Sequence, residues 1–142
     1  MVKQISIFVE NNPGRLAELC RLLSDNSINM CALTLVDAEE FGIVRILVSD
    51  VYAAVTVLKD NAYICKIRDV IVAELSNERG SLAQILDAFH EKALDVEYMY
   101  AFTNHKDGKA NMAFALKDPA AGSQVLAEHG VRRITQDEIA AM

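Results

Sequence analysis

The chain lacks any surplus of positive charge: 14 lysines and arginines stand against 20 aspartates and glutamates, a formal charge of −6. A protein that neutralises a phosphate backbone or rests on an anionic membrane needs a basic patch, so neither nucleic acid nor a membrane is an expected partner. Phe8, Tyr98, Tyr100 and Phe102 are aromatic, but without the basic setting that RNA stacking requires. No apolar run approaches the roughly 20 residues that span a bilayer. Met1-Val2-Lys3-Gln4 passes directly into a strand-like pattern without a signal-peptide core, which makes the cytoplasm the expected location. Cysteine is scarce and odd in number. Cys20, Cys31 and Cys65 lie far apart in apolar stretches, as reduced, buried thiols do.

Constellations for chemistry are missing as well. There is no Cys-x-x-Cys for a soft metal and no glycine-rich phosphate loop. His90, His105 and His129 have no acidic or cysteine neighbour at ligand or triad spacing. Glu39-Glu40 and Asp137-Glu138 are adjacent pairs in turn or tail, more suited to solvation than to paired acid–base work. No catalytic residue, metal or cofactor is expected.

What is present is apolar mass and repetition. With 142 residues and 52% apolar composition, a chain of this size buries about two-thirds of its unfolded surface. Gly14-Arg15-Leu16 matches Gly80-Ser81-Leu82 at an offset of 66, and the same shift pairs Ile5 with Ile71, Leu19 with Ile85, Leu23 with Phe89 and Asn29 with Asp95. Farther on, Asp50 pairs with Asp118 and Asn61 with His129 at an offset of 68. The two extra residues fall at Asn104 to Lys109, where Asp107-Gly108 is a hairpin turn signal.

Each copy reads strand, helix, hairpin, helix, strand. Strands are expected over 3–10 and 70–75. Amphipathic helices follow at 15–27 and 81–92, with apolar residues three and four apart. Strand pairs at 30–36 with 43–48, and 96–103 with 110–116, come next. Second helices at 51–59 and 119–128 follow, the latter with Asp118 as N-cap and Pro119 at its first position. Closing strands are expected at 64–68 and 131–134. Right-handed crossovers then place both helices of a copy on one sheet face, so the expected fold is α+β: two ferredoxin-like βαββαβ sandwiches in tandem, 1–68 and 69–142. Ile64 to Leu75 contains no proline, glycine or serine, so no linker separates the copies.

Strands apolar at both parities, such as Val70-Ile71-Val72, imply that both sheet faces are covered. The sister copy or a second chain must do the covering, and a homodimer is the expectation.

The run Ile5 to Leu19, with Asn11-Asn12-Pro13-Gly14-Arg15-Leu16 at its centre, and the later Ser27-Ile28-Asn29-Met30, resembles the opening of an ACT domain. That family regulates amino-acid metabolism, usually as an appendage of enzymes such as phosphoglycerate dehydrogenase or aspartokinase. The resemblance covers both copies. It implies an amino-acid ligand, a possible regulated enzyme as partner, and contacts from Asn11 and Asn29, whose equivalents touch the effector in serine-binding ACT domains. The site it outlines comprises Asn11, Asn12, Gly14, Arg15, Leu16, Asn29 and Met30 in the first copy. In the second it comprises Asn77, Gly80, Ser81, Leu82 and Asp95, where Arg79 replaces Pro13 and Asp95 replaces the asparagine.

Elementary chemistry is compatible with that outline. Gly14 allows close backbone approach, the free amides opening the next helix suit a carboxylate, and an asparagine offers both donor and acceptor. The same residues equally serve a plain strand-to-helix turn, with asparagine capping and glycine supplying an unusual φ. Arg15 and Arg79 sit against the helix-dipole preference and are either ligand contacts or solvated surface residues. Three functional readings follow, in order: a free-standing amino-acid sensor, an oligomerisation or docking module with vestigial pockets, and an enzyme of unrecognised type.

Overall fold

A computed structural model describes residues 1–38, 40–76, 78–103 and 109–142. Glu39, Asn77, His105 and the Asp107-Gly108 turn therefore lie outside the described residues.

The elements run β1 (Val2–Glu10), α1 (Arg15–Asp25), β2 (Met30–Ala38), β3 (Phe41–Val48), α2 (Val51–Asp60) and β4 (Ile64–Leu75). They continue with α3 (Ser81–Glu91), β5 (Val96–Thr103), β6 (Ala110–Leu116), α4 (Pro119–Glu128), β7 (Arg133–Ile134) and α5 (Gln136–Ala140). Two compact units result. The first is Lys3–Arg68 with Ile139–Met142, and the second is Asp69–Glu138 with Met1–Val2. The expected closing and opening strands at 64–68 and 70–75 are one strand, β4, because nothing between them breaks an extended backbone.

In the first unit the strand order is β2-β3-β1-β4, with β1 and β2 both antiparallel to β3. Ile5, Ile7 and Val9 from β1 and Val44, Ile46 and Val48 from β3 point to one face. There they meet Leu19 and Leu23 of α1 and Ala54 and Leu58 of α2 in a single apolar core. The second unit repeats this. Its order is β5-β6-β4 with β7 on the far side of β4, and Ile71, Ala73, Phe114 and Leu116 pack against Ile85, Phe89, Val125 and Leu126. Burying one such side chain stabilises by about 1.5–3 kcal/mol, so the alternation along each strand decides which face takes the helices.

The helices also stop in one way. Ser27, Ala62, Ala93 and Gly130 all take positive φ, and the next residue's amide, of Ile28, Tyr63, Leu94 or Val131, donates to a carbonyl five residues back at 2.9 Å. This is the Schellman end, which satisfies a carbonyl the helix leaves orphaned and seats an apolar residue on the core. Ser27 and Ala93 end α1 and α3 two residues before the expected 27 and one before the expected 92. Asp50 and Asp118 cap α2 and α4, accepting from Ala53 N and Ala121 N at 2.9 Å.

The short helix α5 has no counterpart in the sequence reading. Thr135 N and Oγ1 donate to Glu138 Oε2 and Glu138 N donates to Thr135 Oγ1, a reciprocal capping box. The cysteines are free but only half-buried, against the expected full burial. On the face of the second sheet away from its helices, Val70, Val72, Ala113 and Ala115 are buried within the single chain, so no second chain is needed to cover them. The corresponding face of the first sheet is different: Val36 and Phe41 remain exposed.

Candidate functional site

Gly14 and Gly80 open α1 and α3 with φ of 89° and 90°. A side chain is strained at such φ, and neither helix has a side-chain N-cap, so the first-turn amides face the loop without a side-chain acceptor. The two glycines thus share one backbone conformation. The side chains of the two loops differ.

In the first loop the polar groups satisfy one another. Asn11 Nδ2 donates to Asp37 Oδ1 at 3.3 Å, Asn12 Nδ2 to Glu10 Oε2 at 3.2 Å, and Arg15 Nη1 to Glu18 Oε2 at 2.9 Å. Among the described residues Arg15 Nε is buried without a hydrogen-bond partner. Leu16 and Met30 are half-buried and pack on the first core. Asn29 is not beside Asn11. The Asn11 amide donates to Glu40 O, while Asn29 O accepts from Ser49 N, so the two asparagines lie at opposite ends of the eight-residue β3, roughly 24 Å of strand apart. Asn29 Nδ2 instead points at Cys31 Sγ, 4.0 Å away. Within the unit the eleven-residue α1 therefore separates the two asparagines.

The second loop opens on a cavity of about 410 Å³. Leu75, Ile85, Ala88, Leu126 and Val131 form its apolar floor. Ser76, Glu78, Arg79, Ser81 and Gln84 rim it from the loop and the start of α3, with Lys109, His129 and Arg132 opposite. Of the expected second-copy residues, Ser81 lines this cavity and Gly80 sets the turn beside it. Leu82 packs on the core, and Asp95, beyond the far end of α3, is not among the lining residues. Asn77 lies outside the described residues.

The cavity's charges are unequally engaged. Glu74, nearly buried, receives Lys109 Nζ at 2.8 Å and Arg132 Nη1 at 2.9 Å, and Arg132 also holds Glu138. The hydrogen bond from Lys109, more than anything else, holds the Glu74 carboxyl below the ordinary carboxylate range. Arg79 lines the cavity and has no carboxylate or hydrogen-bond partner among the described residues. His129 Nδ1 lies 2.9 Å from Val125 O, so that nitrogen donates and Nε2 is left as an acceptor when the ring is neutral. Ser81 donates to Glu78 O at 2.9 Å and shares a 2.8 Å hydroxyl contact with Ser76. Glu74, Gln84, Lys109, His129 and Arg132 carry no sequence motif. They meet only because the end of β4, the start of β6 and the end of α4 converge on the Gly80 turn.

Among the described residues no group of histidine, cysteine and carboxylate side chains is arranged to hold a metal ion. Among those residues no helix is long and apolar enough to cross a membrane.

Two antiparallel sheets, each with two helices on one face and a positive-φ glycine at its first strand-to-helix turn, define a tandem pair of ferredoxin-like sandwiches. The chain belongs to the ACT domain pair family, whose model matches residues 1–142. It is similar to a solved protein from Bacteroides thetaiotaomicron at 34% identity, covering 99% of this chain and 96% of that one, with a TM-score of 0.92. The regulatory subunit of aspartate kinase from Thermus thermophilus, in its ligand-free form, is 14% identical with a TM-score of 0.65 and coverage of 89% and 91%. The same subunit from Thermus flavus is 13% identical with a TM-score of 0.57 and coverage of 89% and 90%. At those identities the likeness is one of fold. No match is found among curated proteins.

Proposed function

We propose that this protein is a regulatory, non-catalytic amino-acid-binding module that acts through its own assembly or by docking on an enzyme it regulates. Membership of the ACT domain pair family supports a ligand-binding regulatory role. The observation that carries the amino-acid reading is the cavity beside Gly80. It offers Arg79, a cation unpaired among the described residues, for a carboxylate, and the Glu78 carboxylate and His129 Nε2 for an ammonium, above an apolar floor. A volume of about 410 Å³ suits a small metabolite. The first unit favours the second reading, a vestigial pocket, because Asn11, Asn12 and Arg15 spend polar groups on neighbouring side chains.

A thermal-shift screen of the full chain against the twenty amino acids tests the proposal, because a ligand that binds only the native state stabilises it by RT ln(1 + [L]/Kd). The expected result is a concentration-dependent rise with one related group of amino acids. No shift with any of them at millimolar concentration would overturn it in favour of a docking module.

The assembly we propose is a homodimer. On the open face of the first sheet Phe8 and Phe41 have ring centroids 6.0 Å apart, and Ile43 and Val36 are cross-strand partners beside them. β2 is an edge strand with Leu33 and Leu35 also exposed, and an apolar edge of this kind is a pairing template. Light scattering that finds only monomer at high concentration would remove this part of the proposal.

A further inference from the structure

We infer that the second unit's cavity selects an α-amino acid with an aliphatic side chain, its carboxylate on Arg79 and its side chain against Ala88. This rests on the amino-acid reading above and narrows it to a class by charge and by the cavity floor.

The charges come first. Three cations line the cavity, but Lys109 and Arg132 both pair with Glu74, so among the described residues Arg79 is the cation left for a ligand. One free cation at the rim matches one carboxylate. An aspartate or glutamate ligand would bring a second, which would have to share Lys109 or Arg132 with Glu74 and so be only partly neutralised. A lysine or arginine ligand fares no better, because the nearly buried carboxylate able to receive its side chain, Glu74, already holds two cations. An α-ammonium, by contrast, stays at the rim with the exposed Glu78 carboxylate and His129 Nε2.

The floor then sets the side chain. Leu75, Ile85, Ala88 and Leu126 are buried, aliphatic and free of polar atoms in their side chains. A polar ligand side chain placed on them would lose water without gaining a hydrogen bond, whereas an aliphatic one gains by leaving water. Ala88 is the smallest side chain of that floor and sits on the cavity side of α3, one turn in from Gln84 at the rim. Its missing bulk is the space the ligand's branch fills, which makes Ala88 the residue that sets the size of side chain accepted.

Isothermal titration of the full chain with alanine, valine, leucine, aspartate, lysine and leucinamide tests this. Each added methylene should tighten binding about four-fold up to the limit of the cavity. Aspartate, lysine and leucinamide should bind at least about tenfold more weakly than leucine, as loss of a charged hydrogen bond predicts. Arg79→Gln should weaken leucine by a similar factor without altering the unliganded melting temperature, since the residue is exposed. Ala88→Leu should shift preference from leucine toward alanine, and Arg79→Gln keeps the test open where Ala88→Leu disturbs the core. A preference for aspartate or lysine, or leucine binding untouched by both variants, would overturn the inference while leaving an amino-acid regulator standing. Absence of binding by every amino acid would overturn both.

Discussion

Glu74 on β4 and Asn111 on β6 sit directly opposite each other, and only the first has its polar atoms matched. Glu74 holds Lys109 and Arg132, while Asn111 is fully buried with neither Nδ2 nor Oδ1 bonded to any group among the described residues. An unmet amide in an interior costs about 1–3 kcal/mol. Asn111→Leu, close in shape and without polar atoms, should therefore leave stability unchanged or raise it by up to about 2 kcal/mol. Chemical denaturation reads this directly, and a loss of more than about 1 kcal/mol would mean the amide is satisfied by ordered water.

Glu74 predicts an acid sensitivity. Its folded pKa lies below the ordinary 4.5, first because Lys109 donates to it, so the ionised form is favoured by folding. A group depressed in this way contributes stability above its unfolded pKa, and loses that contribution as pH falls from about 4.5 through the folded value. Glu138, lowered first by the Thr135 amide, acts in the same direction. Glu74→Gln should cost about 1–3 kcal/mol near neutrality and flatten, without abolishing, the fall in melting temperature below pH 4.5. An unchanged slope would show that the Glu74 pairs contribute nothing in solution.

Gly14→Val and Gly80→Val isolate backbone strain. A Cβ built at either position meets nothing within 4 Å, so the whole cost arises from φ near +90°. Each should destabilise by about 1–3 kcal/mol, with the β-branched side chain worse than alanine. Equal and negligible losses in thermal melts would mean that the loops relax to ordinary φ. Because the strain acts on folding, Asn11→Ala alone is the cleaner probe of the first loop. Its exposed bond to Asp37 predicts a stability change within about 0.5 kcal/mol.

The open face of the first sheet makes the proposed dimer separable from the fold. Val36 and Phe41 are each more than 40% exposed, so lysine at either position should shift stability by no more than about 0.5 kcal/mol. Val36→Lys with Phe41→Lys should convert the dimer to monomer in sedimentation experiments. A double variant that stays dimeric would place the interface elsewhere.

The fold was legible because its signals were local. Leu16, Leu19 and Leu23 recur at helical spacing, Ile5, Ile7 and Val9 at strand spacing, and both patterns repeat near Leu82 and Ile71. Asp118 announced the start of α4. The Thr135 to Glu138 capping box was equally readable but lies in a five-residue helix without periodicity. The site was much less legible. Gly80 and Ser81 mark it in sequence, yet Glu74, Lys109 and Arg132 converge through strand register and a loop, which no spacing rule reports. Asn11 and Asn29, on either side of α1 in sequence, lie at opposite ends of β3 in space.

The two-residue strand β7 has a kinetic meaning. It meets β4 only through Val72 with Ile134 and Ala73 with Arg133, extended by a single bond from Glu74 N to Arg132 O. The cavity wall formed by Val131 and Arg132 thus hangs from the least anchored strand of its sheet, where the free energy of local opening is lowest. Amide hydrogens there should exchange long before those of β6, which makes this wall the part of the second sheet that opens first.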